Sequence, residues 1–381
     1  MFNSLHRKPN LFFLMSAFCL LPISLKTFSK SIPDHQIHKL VRRSNLIFKS
    51  PNSDSNYFQK MEIKLQQVKS YYSKIEAEKK WTIIPQIKNK LQVGDSAISI
   101  IHIKNNLKKT GDYVGLDGSF YFNEDLKLAI INFQKRIGMD QNGIINNALV
   151  LRINTNVDYV LKQINASIKT ISDLGEIDLR DFIYVNIPAF HLQVFKNNIP
   201  QIEMKVIVGK YKNQTPTFNT NLNAVVVCPY WNVPKSIEQK EILPLLKKNP
   251  SYLKKHNMEW SNGIIRQRPG PTNSLGRIKF IIPNRYSVFM HDTPIKSLFE
   301  KRVRMFSHGC IRLNDAKKLA LYLMQEEKDW DSIRLENAIN ENKEKKVELR
   351  TPIPVYVSYL TAWVDEKGIL QLRDDIYGKY K

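Results

Sequence analysis

The run Asp181-Phe-Ile-Tyr-Val-Asn-Ile187, followed by Phe190-His-Leu-Gln-Val-Phe195 and Ile202-Glu-Met-Lys-Val-Ile-Val208, decides the fold class. Phe182, Tyr184 and Asn186 alternate with Ile183, Val185 and Ile187, which is the period of a strand. Lys196-Asn-Asn-Ile-Pro200 supplies a turn that makes the next two runs a hairpin. Val225 to Val227 adds a further strand, and no helical pattern separates any of these runs. A sheet of parallel strands joined by helices is therefore excluded, and the segment reads as β-rich. Upstream the apolar period is that of helices, so the chain as a whole is α+β.

Downstream lies the chemistry. Tyr286-Ser-Val-Phe-Met-His291-Asp-Thr-Pro294 reads as a strand over Tyr286 to Met290, stopped by its Asp-Thr-Pro turn, which leaves His291 at a strand end. Ser307-His-Gly-Cys310-Ile-Arg312-Leu-Asn314 then leads into a helix with Asn314 as its cap. Ala316, Leu319, Ala320, Leu323 and Met324 share one face of that helix. Cys310 is expected in the turn that enters it, where the helix dipole and a neighbouring imidazolium would draw the thiol toward thiolate. Taken singly, each residue has a plainer reading: a lone Cys is usually a small buried hydrophobe, and a lone His a structural or surface residue. The combination of strand-end His, Ser-His-Gly-Cys and a following Arg favours a cysteine nucleophile.

The spacing His291-x15-Ser307-His-Gly-Cys310-Ile-Arg312 resembles the signature of the L,D-transpeptidases, the YkuD-type cysteine enzymes of bacterial peptidoglycan. Val185-Asn-Ile-Pro-Ala-Phe190, Val206-Ile-Val-Gly209, Pro229-Tyr-Trp-Asn-Val-Pro234, Arg268-Pro-Gly-Pro271, Leu275-Gly276, Thr361-Ala-Trp-Val-Asp365 and Arg373-Asp-Asp-Ile-Tyr-Gly378 extend the resemblance to the large periplasmic YcbB-like subgroup. The resemblance implies a YkuD-type β-sandwich over 181–381, with a helical capping lid over 235–279. It implies Cys310 as nucleophile and His291 as base, oriented by the backbone carbonyl of Asp292. The N–H groups of Gly309 and Cys310, with His308 as a third, are the implied oxyanion hole. Ser307 and His308 would shape the nucleophile turn. Arg312 would pair with a substrate carboxylate or make a structural ion pair, and Tyr230, Trp231 and Asn232 would line the substrate site.

The implied reaction is acyl transfer from a peptidoglycan tetrapeptide stem, with loss of D-Ala, to the side-chain amine of a second stem, forming a 3→3 cross-link. An L,D-carboxypeptidase on the same site and a non-catalytic wall-binding protein stay open as alternatives. A papain-like protease is disfavoured because the His precedes the Cys and no matching Asn element follows.

A chain of 381 residues, 43% apolar, holds two or three domains with a sizeable core. Its net charge of +23 comes from scattered lysines, and no nucleic-acid motif accompanies it, so a generic soluble surface weakly attracted to an anionic wall is the better reading, with a lysine-rich genome bias explaining the charge equally well. Arg7 and Lys8 before the apolar run Leu11 to Leu21 read as an export signal over 1–30, hence a periplasmic protein, with an uncleaved anchor left open. Cys19 sits in a poor lipidation context. Of the two other cysteines, Cys228 reads as a core residue. No metal site or cofactor is expected, since the His35 and His38 pair has no further ligands around it.

Residues 31–90 read as a helical scaffold carried by Tyr57, Met61, Ile63, Leu65, Val68 and Tyr72. In 91–152, Gly94-Asp95 opens a helix bearing Ile98, Ile101 and Leu107, and Leu126, Ala129, Ile130, Phe133 and Ile137 form a second stripe. Phe133-Gln134, Gly138, Asp140 and Gly143 give this stretch a resemblance to the type 1 peptidoglycan-binding domain, a small all-α unit that would bind glycan or merely support its neighbour. Residues 153–180 read as a scaffold helix and linker. Leu335 to Val347 reads as an exposed charged helix, and Pro354 to Tyr359 and Ile369 to Arg373 as two last strands. Oligomeric state is not encoded in any motif.

Overall fold

A computed structural model of the chain describes residues 55–175, 180–328 and 330–380. The proposed signal segment, Cys19, His35 and His38 lie outside the described residues. Helix α1 (Tyr57–Ala77) starts at Asn56, whose side chain accepts the Gln59 N–H while Gln59 reaches back to the Asn56 N–H. That reciprocal cap sets the phase that buries Phe58, Met61, Leu65, Val68, Tyr72 and Ile75. Helix α1 packs along α5 (Val157–Gly175). Between them in sequence come α2 (Ile98–Lys109), α3 (Glu124–Arg136) and α4 (Asn147–Ile153). The Asn123 and Asn146 side chains cap α3 and α4 by accepting the N–H of Leu126 and Leu149.

Helix α2 departs from the sequence expectation. Gly94-Asp95 forms a turn closed by the Asp95 carboxylate on the Gln92 N–H, so the helix starts only at Ile98. The later start rotates its stripe: Ile100, Ile103 and Leu107 are buried, whereas Ile98 is 70% exposed. Lys104 is wholly buried, donating to Asp117 at 2.7 Å and to the carbonyls of Ser119 and Tyr121. A buried ammonium is tolerated only with such partners, and it ties the loop after α2 to the helix. The apolar residues of α1 to α5 form one continuous cluster, so residues 91–152 do not enclose a separate core.

The same cluster takes in Phe182, Tyr184 and Phe195 from the sheet. Phe58 meets Tyr184 edge-on at 5.2 Å, and Phe182 stacks on Phe195 at 4.5 Å. Strand β1 (Phe182–Asn186) is therefore buried on both faces, since Ile183 and Val185 point into a second core. This is why apolar side chains occupy both phases of its alternation.

That second core lies within a nine-stranded sheet of order β10-β3-β11-β9-β8-β4-β12-β1-β2. Strand β3 (Ile199–Gly209) pairs with β2 (His191–Lys196) along its first half and with β11 (Ile311–Leu313) and β10 (Met305–Ser307) further on, so the ladder closes on itself. Strands β4 (Phe218–Val227), β8 (Ile278–Ile281), β9 (Met290–His291) and β12 (Lys345–Ser358) complete the circuit. Helix α6 (Ala316–Met324) buries Leu319, Ala320 and Leu323 against it, and α7 (Ser332–Asn340) adds Leu335 and Ala338. Strands β13 (Ala362–Val364) and β14 (Leu370–Leu372) pair separately and join the helical core.

Four more expectations are corrected. Tyr286 to Phe289 are not strand: the Asn284 carboxamide oxygen accepts the N–H of Tyr286 and Val288, and Ser287 takes φ 56°, which makes a turn of the segment. Asp315, not Asn314, caps α6, by accepting the Lys318 N–H. The charged helix ends at Asn340; Asn342 turns at φ 52° and Lys345 already opens β12.

The inserted segment is the fourth. It is not wholly helical. Short helices between Lys235 and Lys255 lie between β5 (Trp231–Asn232) and the hairpin of β6 (Met258–Ser261) and β7 (Ile264–Gln267), and the three strands form a sheet of order β5-β7-β6. Asn262-Gly263, at φ 50° and 76°, is the hairpin turn, and those two residues announced it in the sequence. Val233, Ile242 and Ile265 form its small core, with Trp231 packed against them and Trp260 52% exposed. The insertion ends before Ile278, because Ile278–Ile281 is a strand of the main sheet.

Candidate active site

Three neighbouring strands set the site. Lys279 on β8 pairs with His291 on β9, and His291 pairs with Arg312 on β11. Phe280, Met290 and Ile311 from the same strands are fully buried in the sheet's core. Pleating then turns Lys279, His291 and Arg312 to the opposite face, with Cys310 on the Arg312 side of Ile311. The sheet therefore brings Cys310 and His291 onto one face of adjacent strands.

The His291 ring is 4% exposed and lies 5.6 Å from the Phe289 ring. Its Nδ1 lies 2.5 Å from the Asp292 carbonyl oxygen. A carbonyl can only accept, so the hydrogen sits on Nδ1 and the lone pair on Nε2. Burial, then the Arg312 charge, hold the imidazole neutral by lowering its pKa to about 3; the Asp292 and Leu275 carbonyls pull the other way. The Asp292 carboxylate is engaged elsewhere, accepting from the Arg277 N–H at 2.9 Å and from Lys296 Nζ at 2.6 Å.

Cys310 is half-buried, and burial pushes its thiol up from the ordinary value; the Phe289 backbone, Lys279 and Arg312 offset this in part. The expected help from a helix is missing, because β11 stands between Cys310 and α6. At neutral pH these directions leave a thiol and a neutral imidazole, not the thiolate and imidazolium that the sequence suggested. Proton transfer must then accompany attack.

The turn that carries Cys310 is braced from within. Buried Ser307 accepts the Gly309 N–H at 3.1 Å and donates to the Cys310 carbonyl at 2.6 Å. Gly309, at φ 118°, occupies a conformation that a side chain would strain. The Gly309 N–H is therefore not available for an oxyanion. Among the described residues the N–H groups of His308 and Cys310 have no acceptor, and these two remain for that role. The exposed His308 ring turns to the insertion, with Nε2 2.7 Å from Glu241.

Arg312 makes no ion pair among the described residues, and its buried Nε has no partner. The structural ion pair is thus excluded for it. Lys279, which sequence reasoning placed in the lid and missed, is also without a carboxylate; its ammonium lies 4.2 Å from the Phe289 ring centre. The signal was a Lys alternating with buried Ile278 and Phe280 in a strand. Tyr230 lies under the Arg266 guanidinium at 4.2 Å, Trp231 packs in the core of the insertion, and Asn232 is exposed on β5. Cys228 is free and buried, with its thiol 3.3 Å from the Ile339 carbonyl. Among the described residues no cluster could hold a metal ion.

The neutral His291 has a consequence for stability. A depressed folded-state pKa means that its contribution is complete above the ordinary histidine value and is lost as pH falls through that value toward about 3. Thermal melts between pH 6.5 and 4 should show a smaller acid-induced drop for His291→Gln than for the wild type; equal drops would place His291 in solvent.

A thiol, an oriented neutral imidazole and two cations without carboxylate partners among the described residues thus share one sheet face. Residues 180–355 match the model of the YkuD L,D-transpeptidase catalytic domain. A curated Haemophilus influenzae protein named "Putative L,D-transpeptidase" is 32% identical over 222 residues, covering 53% of this chain. The chain spans 45% of that relative's length. Solved L,D-transpeptidases from Stackebrandtia nassauensis and Mycobacterium tuberculosis (L,D-transpeptidase 3) are each 13% identical, with a TM-score of 0.26. The first match covers 72% of this chain and 96% of its own, the second 47% and 60%. Likeness at that level carries no argument about function.

Proposed function

We propose that the chain is a peptidoglycan L,D-transpeptidase acting through Cys310. The observation that carries this is the placement of Cys310 and His291 on one face of neighbouring strands, with the imidazole hydrogen held at Nδ1 by the Asp292 carbonyl. His291 Nε2 takes the thiol proton as sulfur attacks the carbonyl of the diamino acid at position three of a tetrapeptide stem. The developing oxyanion meets the N–H groups of Cys310 and His308. The C–N bond breaks, D-Ala leaves with the proton from His291, and a thioester remains on Cys310. The side-chain amine of a second stem then attacks the thioester, giving a 3→3 cross-link and restoring the thiol. The export signal read over 1–30 fits a periplasmic enzyme with this substrate.

Lys279 and Arg312 give the site its charge preference: both lie on the reacting face without a carboxylate, and the stems carry several. A charge-assisted hydrogen bond contributes about 1.5–3 kcal/mol, so Lys279→Met or Arg312→Met should raise KM for a tetrapeptide about 10- to 150-fold. The same variants should narrow the difference between a free acid and its amide. An unchanged KM in both would remove the carboxylate clamp from the account.

Glu241 joins the insertion to the nucleophile turn through His308, which supports the insertion as a lid that keeps water from the thioester. Glu241→Gln should raise the ratio of hydrolysed tripeptide to cross-linked dimer; an identical ratio would count against the lid. The direct test of function is incubation with disaccharide-tetrapeptide followed by mass spectrometry. A dimer lacking one D-Ala is the expected product. Tripeptide alone would make the chain an L,D-carboxypeptidase, and unchanged substrate would contradict the proposal.

A further inference from the structure

We propose that Thr215 and Tyr377 are positioning residues for the oxyanion hole, locking the Gly309–Cys310 peptide so that its N–H faces the substrate. The inference rests on the transferase reading and names the parts that hold its key donor. Both side chains are buried, Thr215 at 1% and Tyr377 at 4% exposure. Thr215 Oγ1 donates to the Gly309 carbonyl at 2.8 Å and accepts the Gly209 N–H at 2.9 Å. Tyr377 donates its hydroxyl hydrogen to the Gly209 carbonyl at 2.8 Å and accepts the Thr215 N–H at 3.2 Å. The four residues thus close a small network beneath the nucleophile turn, with every hydroxyl both donating and accepting.

The consequence follows from peptide geometry. In a planar trans peptide the C=O and the N–H point in opposite directions. Holding the Gly309 carbonyl down on Thr215 therefore holds the Cys310 N–H up, away from the interior. Gly309 sits at φ 118°, a conformation open to glycine, and glycine has low barriers to alternative orientations of the adjoining peptide. Ser307 fixes the Gly309 N–H and the Cys310 carbonyl, which leaves the peptide between them as the one not held from the Ser307 side. Thr215 supplies that restraint.

The loop bearing Thr215 lies hard against β3. A Cβ on Gly209 would fall 1.9 Å from the Asn213 carbonyl oxygen, so a glycine there admits the loop. Tyr377 is itself fixed: it stacks on Tyr359 with ring centres 5.6 Å apart, its N–H donates to the Tyr359 hydroxyl, and that hydroxyl donates to Asp375 at 2.6 Å. The C-terminal Arg373-Asp-Asp-Ile-Tyr-Gly378 stretch, remote from the thiol in sequence, thereby acquires a role in the site.

The test separates attack on a carbonyl from attack on a saturated carbon. A carbapenem is opened by thiol attack on its lactam carbonyl: the S–C bond forms, the C–N bond breaks, and the nitrogen takes a proton. This passes through an oxyanion. Iodoacetamide alkylates the same sulfur by displacement of iodide, with no oxyanion. Carbapenem acylation and iodoacetamide alkylation of Cys310 are followed by intact mass, in the full chain, for wild type, Thr215→Val, Thr215→Ser and Tyr377→Phe. Losing one oxyanion donor outright costs about 10²–10³-fold. Loosening it should slow acylation about 10- to 100-fold in Thr215→Val and Tyr377→Phe. Thr215→Ser should recover most of the rate, and the alkylation rate and its pH midpoint should stay at wild-type values in all three.

Acylation of Thr215→Val at the wild-type rate would overturn the proposal alone. So would parallel loss of acylation and alkylation, which would mean that the sulfur itself had moved. A wild-type protein that is alkylated but never acylated would overturn the transferase reading and this proposal with it.

Discussion

Cys310→Ala is expected to abolish acyl transfer while the protein keeps its fold. The side chain is only half-buried and lies outside the apolar core, and its hydrogen-bonding neighbours are backbone groups rather than packed side chains. Truncation there removes little apolar burial and should change stability by no more than about 1 kcal/mol. The chemical loss is far larger. Removing the nucleophile of an acyl-transfer triad costs on the order of 10⁶ in kcat, and what remains reflects binding and the oxyanion donors. Cys310→Ser should be almost as poor, because a hydroxyl ionises even less readily than a thiol already pushed up by burial. The comparison to make is stem-peptide turnover against a thermal melt for each variant. Cys228→Ser is the control: that thiol is buried beside the Ile339 carbonyl and should not influence turnover.

The second large effect concerns His291. With a neutral thiol at rest, the base is needed in every acylation, so His291→Ala should lose about 10²–10⁴-fold in acylation rate. The pH dependence carries more information than the size of the loss. Because burial and the Arg312 charge hold the His291 pKa near 3, wild-type kcat/KM should show no acid limb at the ordinary histidine value near 6.5. The residual activity of His291→Ala should instead rise with pH as solvent ionises the thiol directly. A wild-type acid limb near 6.5 would mean that the imidazole is solvated, and a variant as insensitive to pH as the wild type would remove His291 as the base.

The β-rich character of the second half was legible because strand alternation is a local signal, plain in Phe182 to Ile187 and Ile202 to Val208. The face of α6 was equally plain, since Ala316, Leu319, Ala320, Leu323 and Met324 repeat at helical spacing and all are buried. What escaped were features decided by side chains bonding to nearby backbone. Asn284 turns the segment before His291, Asp315 takes the cap from Asn314, and Asp95 delays α2. The residue types that make such bonds are visible in a sequence, but which of several candidates wins depends on packing elsewhere.

At the candidate site, Cys310, His291 and Asp292 could be singled out in the sequence because they sit in short motifs, and the His291 contact with the Asp292 carbonyl is present. Lys279 and Thr215 could not. Each comes to the Cys310 turn only through strand pairing or a loop contact, and neither sits near Cys310 in sequence. The ionisation state also escaped sequence reasoning. It turns on burial, which overrides the helix dipole that Cys310 was expected to feel and that β11 keeps away from it. The hairpin of the insertion is different: Asn262-Gly263 between two apolar runs was a readable signal that reading the segment as helical passed over.

The measurement that bears most directly on the proposed chemistry is the mass of the enzyme caught during turnover. The protein is mixed with a tetrapeptide stem without acceptor, quenched in acid within seconds, and mapped by peptide mass spectrometry. The account predicts a thioester on Cys310 whose mass is that of the stem less D-Ala, with D-Ala released in equal amount and neither seen in Cys310→Ala. Release of D-Ala with Cys310 unmodified, or an acyl group carried on any other residue, would contradict it.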